Sequence, residues 1–274
     1  MDEPIKKHKP IDLMTHLVAG YPSLKASEEL ALVMSKAGAD ILEIQIPFSD
    51  PIADGHVIAE ANAKALQQGV KVSDCLKMIG RLSKKVSTPI FIMTYFNVVF
   101  HFGVDKFCKL ASEKNVQGLI IPDYPFDEEE SNGLIASCKN HSLSFVPVLA
   151  PNTRPDRMRE VLKQGSGFVY CVARVGTTGS KTTIDKKTIQ YLKNVRKLSN
   201  IPVAVGFGLS EKVQMKAIEP YADIAVIGTA QLSSTKIDHF KKAKRLLGSF
   251  WVDYSNPSAG ASITFGSEPS PHKY

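Results

Sequence analysis

Eight short, β-prone apolar runs, separated by amphipathic segments, constrain this chain more than any other feature of its sequence. The runs fall at residues 12–19, 40–46, 89–94, 118–121, 144–149, 167–172, 202–205 and 223–227. Between and after them lie segments with helical spacing of apolar residues, at 27–37, 57–68, 73–83, 105–114, 128–140, 154–163, 186–198, 211–218 and 236–247. Nearly continuous apolar strands that alternate with helices indicate parallel strands covered on both faces. Eight such units within about 250 residues fit a single (β/α)8 TIM barrel better than an open doubly wound sheet, which is the structural alternative.

Composition narrows the class. The chain has 274 residues, 43% hydrophobic and 22% charged, with a formal net charge of +7. That is ordinary globular composition, and the positive balance favours an anionic ligand. The basic residues are scattered; the one dense cluster, Lys241 to Arg245, reads as a solvated helix face rather than a nucleic-acid footprint. No apolar run reaches the ~18 residues that span a membrane, and the charged start at 1–10 has no apolar signal core. Cys75, Cys108, Cys138 and Cys171 form no C-x-x-C pair, and the seven histidines show no ligand spacing. A disulfide framework and a metal site are therefore not expected, and a reducing, cytoplasmic setting is. Residues 1–254 are expected to form the catalytic barrel. Residues 255–274 hold five Ser, three Pro and two Gly without periodicity, and are expected to be a disordered tail.

Two acids stand where acids are costly. Glu43 interrupts the apolar run Ile41-Leu42-Glu43-Ile44-Gln45-Ile46, and Asp54 follows eleven residues later in a Pro- and Gly-punctuated loop. A buried carboxyl facing a second one across a strand-end loop is a general acid/base arrangement. Each has a plainer reading: Glu43 as the partner of a buried Arg or Lys, and Asp54 as the cap of the helix after Gly55. Two Gly-rich strand ends come late, Val205-Gly206-Phe207-Gly208 and Ile227-Gly228-Thr229. With Gly179 on the preceding 174–183 loop, they suit a phosphate cradled by backbone N–H groups, although turn glycines alone would look the same. No Walker pattern or G-x-G-x-x-G is present, so a nucleotide cofactor is not expected.

This pattern resembles the tryptophan synthase α subunit family over about residues 13–247. The likeness is strongest in Leu42-Glu43 and Pro47-Phe48-Ser49-Asp50-Pro51-Ile52-Ala53-Asp54-Gly55. Ala19-Gly20-Tyr21-Pro22, Tyr95-Phe96-Asn97, Pro122-Asp123-Tyr124-Pro125, Arg174-Val175-Gly176-Thr177-Thr178-Gly179 and Gly206-Phe207-Gly208 support it. The resemblance implies a carbon–carbon lyase that cleaves indole-3-glycerol phosphate to indole and glyceraldehyde 3-phosphate without a cofactor of its own. It implies a tryptophan synthase β subunit as partner, in an α2β2 tetramer, with pyridoxal phosphate in that partner. Contact is expected through residues 47–55 and 97–103.

By the same resemblance, Glu43 is the catalytic acid/base and Asp54 holds the indole N–H. Tyr170 lines the pocket, and Gly179, Gly208, Gly228 and Thr229 hold the phosphate. Tyr95 is expected to line or support the pocket; on residues alone, Tyr170 could equally be core. Asp50 reads as a turn or interface residue. Two positions depart from the family pattern: Gln45 stands where Gly is common, and His56 where Pro is usual. The competing functions are another phosphate-binding barrel acting on a phosphoribosyl substrate, and a catalytically silent subunit kept to activate a β partner.

Overall fold

The computed structural model describes residues 11–172, 184–206 and 212–228. Nine strand segments, all parallel where paired, make one sheet: β1 (Asp12–Val18), β2 (Ile41–Gln45), β3 (Ile90–Met93), β4 (Val116–Ile120), β5 (Ser144–Val146), β6 (Val148–Leu149), β7 (Val169–Val172), β8 (Val203–Gly206) and β9 (Ile224–Gly228). Their order is β5-β4-β3-β2-β1-β9-β8-β7-β6. Its two ends, β5 and β6, are consecutive in the chain and separated only by Pro147, whose ring nitrogen has no ladder hydrogen to give. They are two halves of one strand, so the sheet curls into an eight-unit barrel, as expected. β1 closes the circle by pairing with both β2 and β9.

Strand alternation explains why two hydrophobic cores coexist. Ile41, Glu43 and Gln45 of β2 turn inward, while Leu42 and Ile44 turn toward the helices. The inner cluster holds Met14, Ile41, Phe91, Phe168, Tyr170 and Ala204, among others. The outer one fills the space between barrel and helices with residues such as Leu17, Leu42, Ile79 and Leu119. The described helices are α1 (Leu24–Lys36), α2 (His56–Gln67), α3 (Val72–Leu82), α4 (Phe96–Phe102), α5 (Val104–Glu113), α6 (Glu129–Asn132), α7 (Leu134–Asn140), α8 (Pro155–Gln164), α9 (Lys186–Leu198) and α10 (Lys212–Ile218). Their starts follow local chemistry. The Ser23 side chain accepts from the Ala26 N–H at the head of α1, Asp185 accepts from Thr188 at the head of α9, and Pro155 opens α8.

One expected element needs correction. The helix expected at 128–140 is broken at Gly133, whose φ of 63° lies in the left-handed region and ends α6 before α7 begins. Residues 97–103, for which no helix is expected from the sequence, are largely helical as α4. The helix expected at 236–247, the basic cluster within it and the tail at 255–274 lie outside the described residues. All four cysteines are free and buried. Among the described residues, no helix is long and apolar enough to cross a membrane.

Candidate active site

Strand β2 places Glu43 on the inner wall of the barrel, fully enclosed. Among the described residues its Oε2 has no hydrogen-bond partner, and no Lys or Arg approaches it. Among the described residues nothing supports the reading of Glu43 as half of a buried ion pair. Burial, with the charge of Asp54 adding to it, pushes the Glu43 carboxyl up to about 8. A carboxylic acid that keeps its proton at neutral pH is a proton donor in waiting.

Asp54 belongs to the loop between β2 and α2, and it does not cap the helix. The N-cap of α2 is Gly55, which makes no side-chain capping bond. The Asp54 carboxylate instead turns inward, where Oδ2 accepts from Gln45 Nε2 at 2.6 Å. The Tyr95 hydroxyl bonds to the same carboxylate and accepts from the Ala53 N–H at 3.0 Å. Burial raises the Asp54 carboxyl to about 6, and the bonds from Gln45 and Tyr95 oppose that rise. The two acids are thus set apart, Glu43 holding its proton to higher pH than Asp54.

The loop is fastened to the barrel by residues that the motif does not advertise. Asn62, buried in α2, accepts from the Phe48 N–H at 3.0 Å and donates to the Ile58 carbonyl at 2.8 Å. Phe48 stacks on Tyr95 with ring centroids 5.2 Å apart. Gln45, singled out in the sequence only as a departure, is fully buried and bonds both Asp54 and, through Oε1, His16 Nε2 at 2.8 Å. His16 is a buried histidine on the inner face of β1, and burial lowers it to about 4, leaving it neutral. Sequence reasoning missed His16, Gln45 and Asn62 as site residues. The available signal was a polar side chain at an inward position of an apolar strand, in Leu13 to Ala19 and again in Ile41 to Ile46.

Tyr170 on β7 completes the inner wall. Burial raises its phenol well above the usual range, and the charges of Glu43 and Asp54 add to the rise, which puts it within their field. It also explains Gly206. A Cβ there would stand 2.3 Å from the Tyr170 hydroxyl oxygen, so this glycine makes room for the tyrosine. Gly228 ends β9 at the rim, exposed, beside His16 in the ladder. Gly179, Gly208 and Thr229 lie outside the described residues. No group of three His, Cys, Asp or Glu among the described residues is placed to hold a metal.

Known proteins share this architecture. A family model described as tryptophan synthase alpha chain matches residues 3–249. The tryptophan synthase alpha chain of Desulfotalea psychrophila is 41% identical over 224 residues, 82% of this chain and 87% of the relative. That of Petrotoga mobilis is 37% identical over 234 residues, 85% of this chain and 90% of the relative. Among solved structures, Mycobacterium tuberculosis tryptophan synthase superposes with a TM-score of 0.80 at 30% identity, covering 88% of this chain and 91% of the other. The Pyrococcus furiosus tryptophan synthase α2β2 complex gives 0.82 at 28% identity, covering 88% and 98%.

Proposed function

The chain belongs to the tryptophan synthase alpha chain family, lyases that cleave indole-3-glycerol phosphate for a β subunit, and we propose that Glu43 and Asp54 carry out that cleavage here. The observation that carries the assignment is the buried Glu43 carboxyl, its Oε2 without a partner among the described residues, on the inner wall beneath a loop that turns the buried Asp54 carboxylate inward.

The chemistry follows from that arrangement. Glu43 delivers its proton to C3 of the indole ring, which leaves a positive charge on the ring system at the nitrogen. The Asp54 carboxylate accepts the ring N–H and stabilises the charge in a dry site, where it acts most strongly. Glu43, now a carboxylate, takes the proton of the C3′ hydroxyl. The C3–C3′ bond breaks, its electrons return to the ring to give neutral indole, and the oxygen becomes the aldehyde of glyceraldehyde 3-phosphate. One proton enters the ring and one leaves the hydroxyl, so the step balances. Each such transfer is commonly worth about 10²–10⁴ in rate. Tyr95 and Tyr170 shape the slot, and the phosphate is assigned by the resemblance to Gly228 on the rim together with Gly179, Gly208 and Thr229, which lie outside the described residues.

Glu43→Gln and Asp54→Asn should each abolish indole release while circular dichroism reports a folded barrel. Near-wild-type release by Glu43→Gln would sink the assignment. The same pair decides against the silent-subunit reading, since a silent subunit has no activity for them to remove.

The family's α chains need no cofactor of their own; pyridoxal phosphate is assigned to the β subunit, which takes the indole. The contact surface is the 47–55 loop together with α4. The exposed Ile52 and Phe100, 73% and 59% accessible, lie in those two segments, apolar groups suited to a covering partner. Residues 1–254 are read as the catalytic barrel, and a cytoplasmic setting is the reading that suits four free cysteines.

A further inference from the structure

Asp54 does not meet bulk solvent through a simple loop contact; it is the end of a wired chain of side chains that starts on the neighbouring strand β1. Gln45 Nε2 lies 2.6 Å from Asp54 Oδ2, and Gln45 Oε1 lies 2.8 Å from His16 Nε2. All three side chains are buried. An ionised carboxylate only accepts hydrogen bonds, so Gln45 must present its NH2 to Asp54. Its carbonyl oxygen then faces His16 and needs a donor, which fixes His16 in the tautomer carrying hydrogen on Nε2. Turning the amide over would set Oε1 against the carboxylate and NH2 against the imidazole. That arrangement is compatible only with a protonated Asp54 and the opposite histidine tautomer. The orientation of one amide therefore distinguishes a charged from an uncharged Asp54.

We propose that His16 and Gln45 form a positioning relay that aims the Asp54 carboxylate at the indole nitrogen and holds it in its charged form. The relay rests on the reading of Asp54 as the carboxylate that meets the indole N–H. His16 acts on Asp54 through Gln45. Burial keeps His16 neutral, so it acts on Asp54 through the amide it orients and not through a charge of its own. The other groups facing Asp54 are Glu43 from β2, Asn62 from α2, Tyr95 beyond β3 and Tyr170 from β7, with Asp123 acting on Tyr95. Of the neutral donors, Gln45 makes the 2.6 Å bond, whereas Asn62 Nδ2 stands at 3.5 Å. Gln45 is the stronger partner on that distance.

The test is the pH profile of kcat/KM for indole release from indole-3-glycerol phosphate. In the wild type, the acid limb reports Asp54 and the alkaline limb Glu43. Gln45→Met keeps the volume and removes the donor, so the acid limb should rise by about one pH unit while the alkaline limb stays. His16→Leu should move the acid limb the same way by less, and the double variant no further than Gln45→Met alone, since both act on one bond. His16→Gln retains an N–H for Gln45 Oε1 and should keep the wild-type limb. An acid limb unmoved in folded Gln45→Met, or displacements that simply add in the double variant, would overturn the relay. Should Gln45→Met fail to fold, the His16 pair is read by itself: a limb moved by His16→Leu and kept by His16→Gln supports the relay, and equal limbs reject it. Asp54→Asn keeps the two failures apart. Activity retained in that variant removes the function of Asp54 itself, whereas activity lost there with an unmoved Gln45→Met limb removes only the relay.

Discussion

Glu43 and Asp54 differ in what surrounds each carboxyl, and this yields a pH dependence with a definite sign. With Asp54 raised to about 6 and Glu43 to about 8, kcat/KM should trace a bell with limbs near those values and a maximum close to pH 7. A profile still rising at pH 9 would show that Glu43 does not act as the acid. Stability carries the same signature. The native Glu43 holds its proton from pH 4.5 to about 8, where the unfolded chain has released it. The native state then binds more protons, so this group's contribution to stability falls as pH rises through that window. Glu43→Gln removes the titration. Between pH 5 and 9 the wild type should lose more stability than the variant, by roughly 1.4 kcal/mol for every tenfold by which folding tightens the hold of Glu43 on its proton. Urea unfolding at both pH values measures it, and parallel losses would reject it. Glu43 and Asp54 were legible as acids in costly places because a charge in an apolar strand is conspicuous. Their separate protonation states were not, because these depend first on how deeply the fold buries each carboxyl, and for Asp54 also on the opposing bonds from Gln45 and Tyr95.

At the scale of elements, the inner face of the barrel sets tolerances that a linear motif conceals. Gly206 sits in a Gly-x-Gly strand end that reads as phosphate chemistry, yet its missing Cβ is what admits the Tyr170 ring. Gly206→Ala should therefore displace Tyr170 and lower kcat/KM by about a hundredfold with the barrel intact. Unchanged kinetics in a folded variant would show that the Tyr170 position is not critical. Local signals placed most strands and helices to within a few residues, because alternation and helical periodicity are properties of neighbours in sequence. They failed at Gly133, where a left-handed residue splits a helix. They failed also at α4, whose seven residues include Phe96, Val98, Val99, Phe100 and Phe102 and give too short an apolar run for a clear period.

At the scale of the whole molecule, the β2–α2 loop and α4 present apolar side chains outward. Replacing both Ile52 and Phe100 with Asp should weaken binding to a β subunit by tenfold or more while leaving the isolated chain folded. Sedimentation of mixtures of the two subunits reads this directly, and undiminished complex would place the interface elsewhere. What the sequence determined by itself was the alternation of eight apolar runs with helices, hence a parallel barrel, and two acids near one strand end. It could do so because burial on both faces and the cost of a buried charge are written residue by residue. Only the tertiary structure decided that Asp54 turns inward instead of capping α2, that Gly206 serves Tyr170, and that His16 reaches Asp54 through Gln45. Those contacts join β1, β2, the loop, β7 and β8, and bringing residues so far apart in the chain into contact requires the barrel to close.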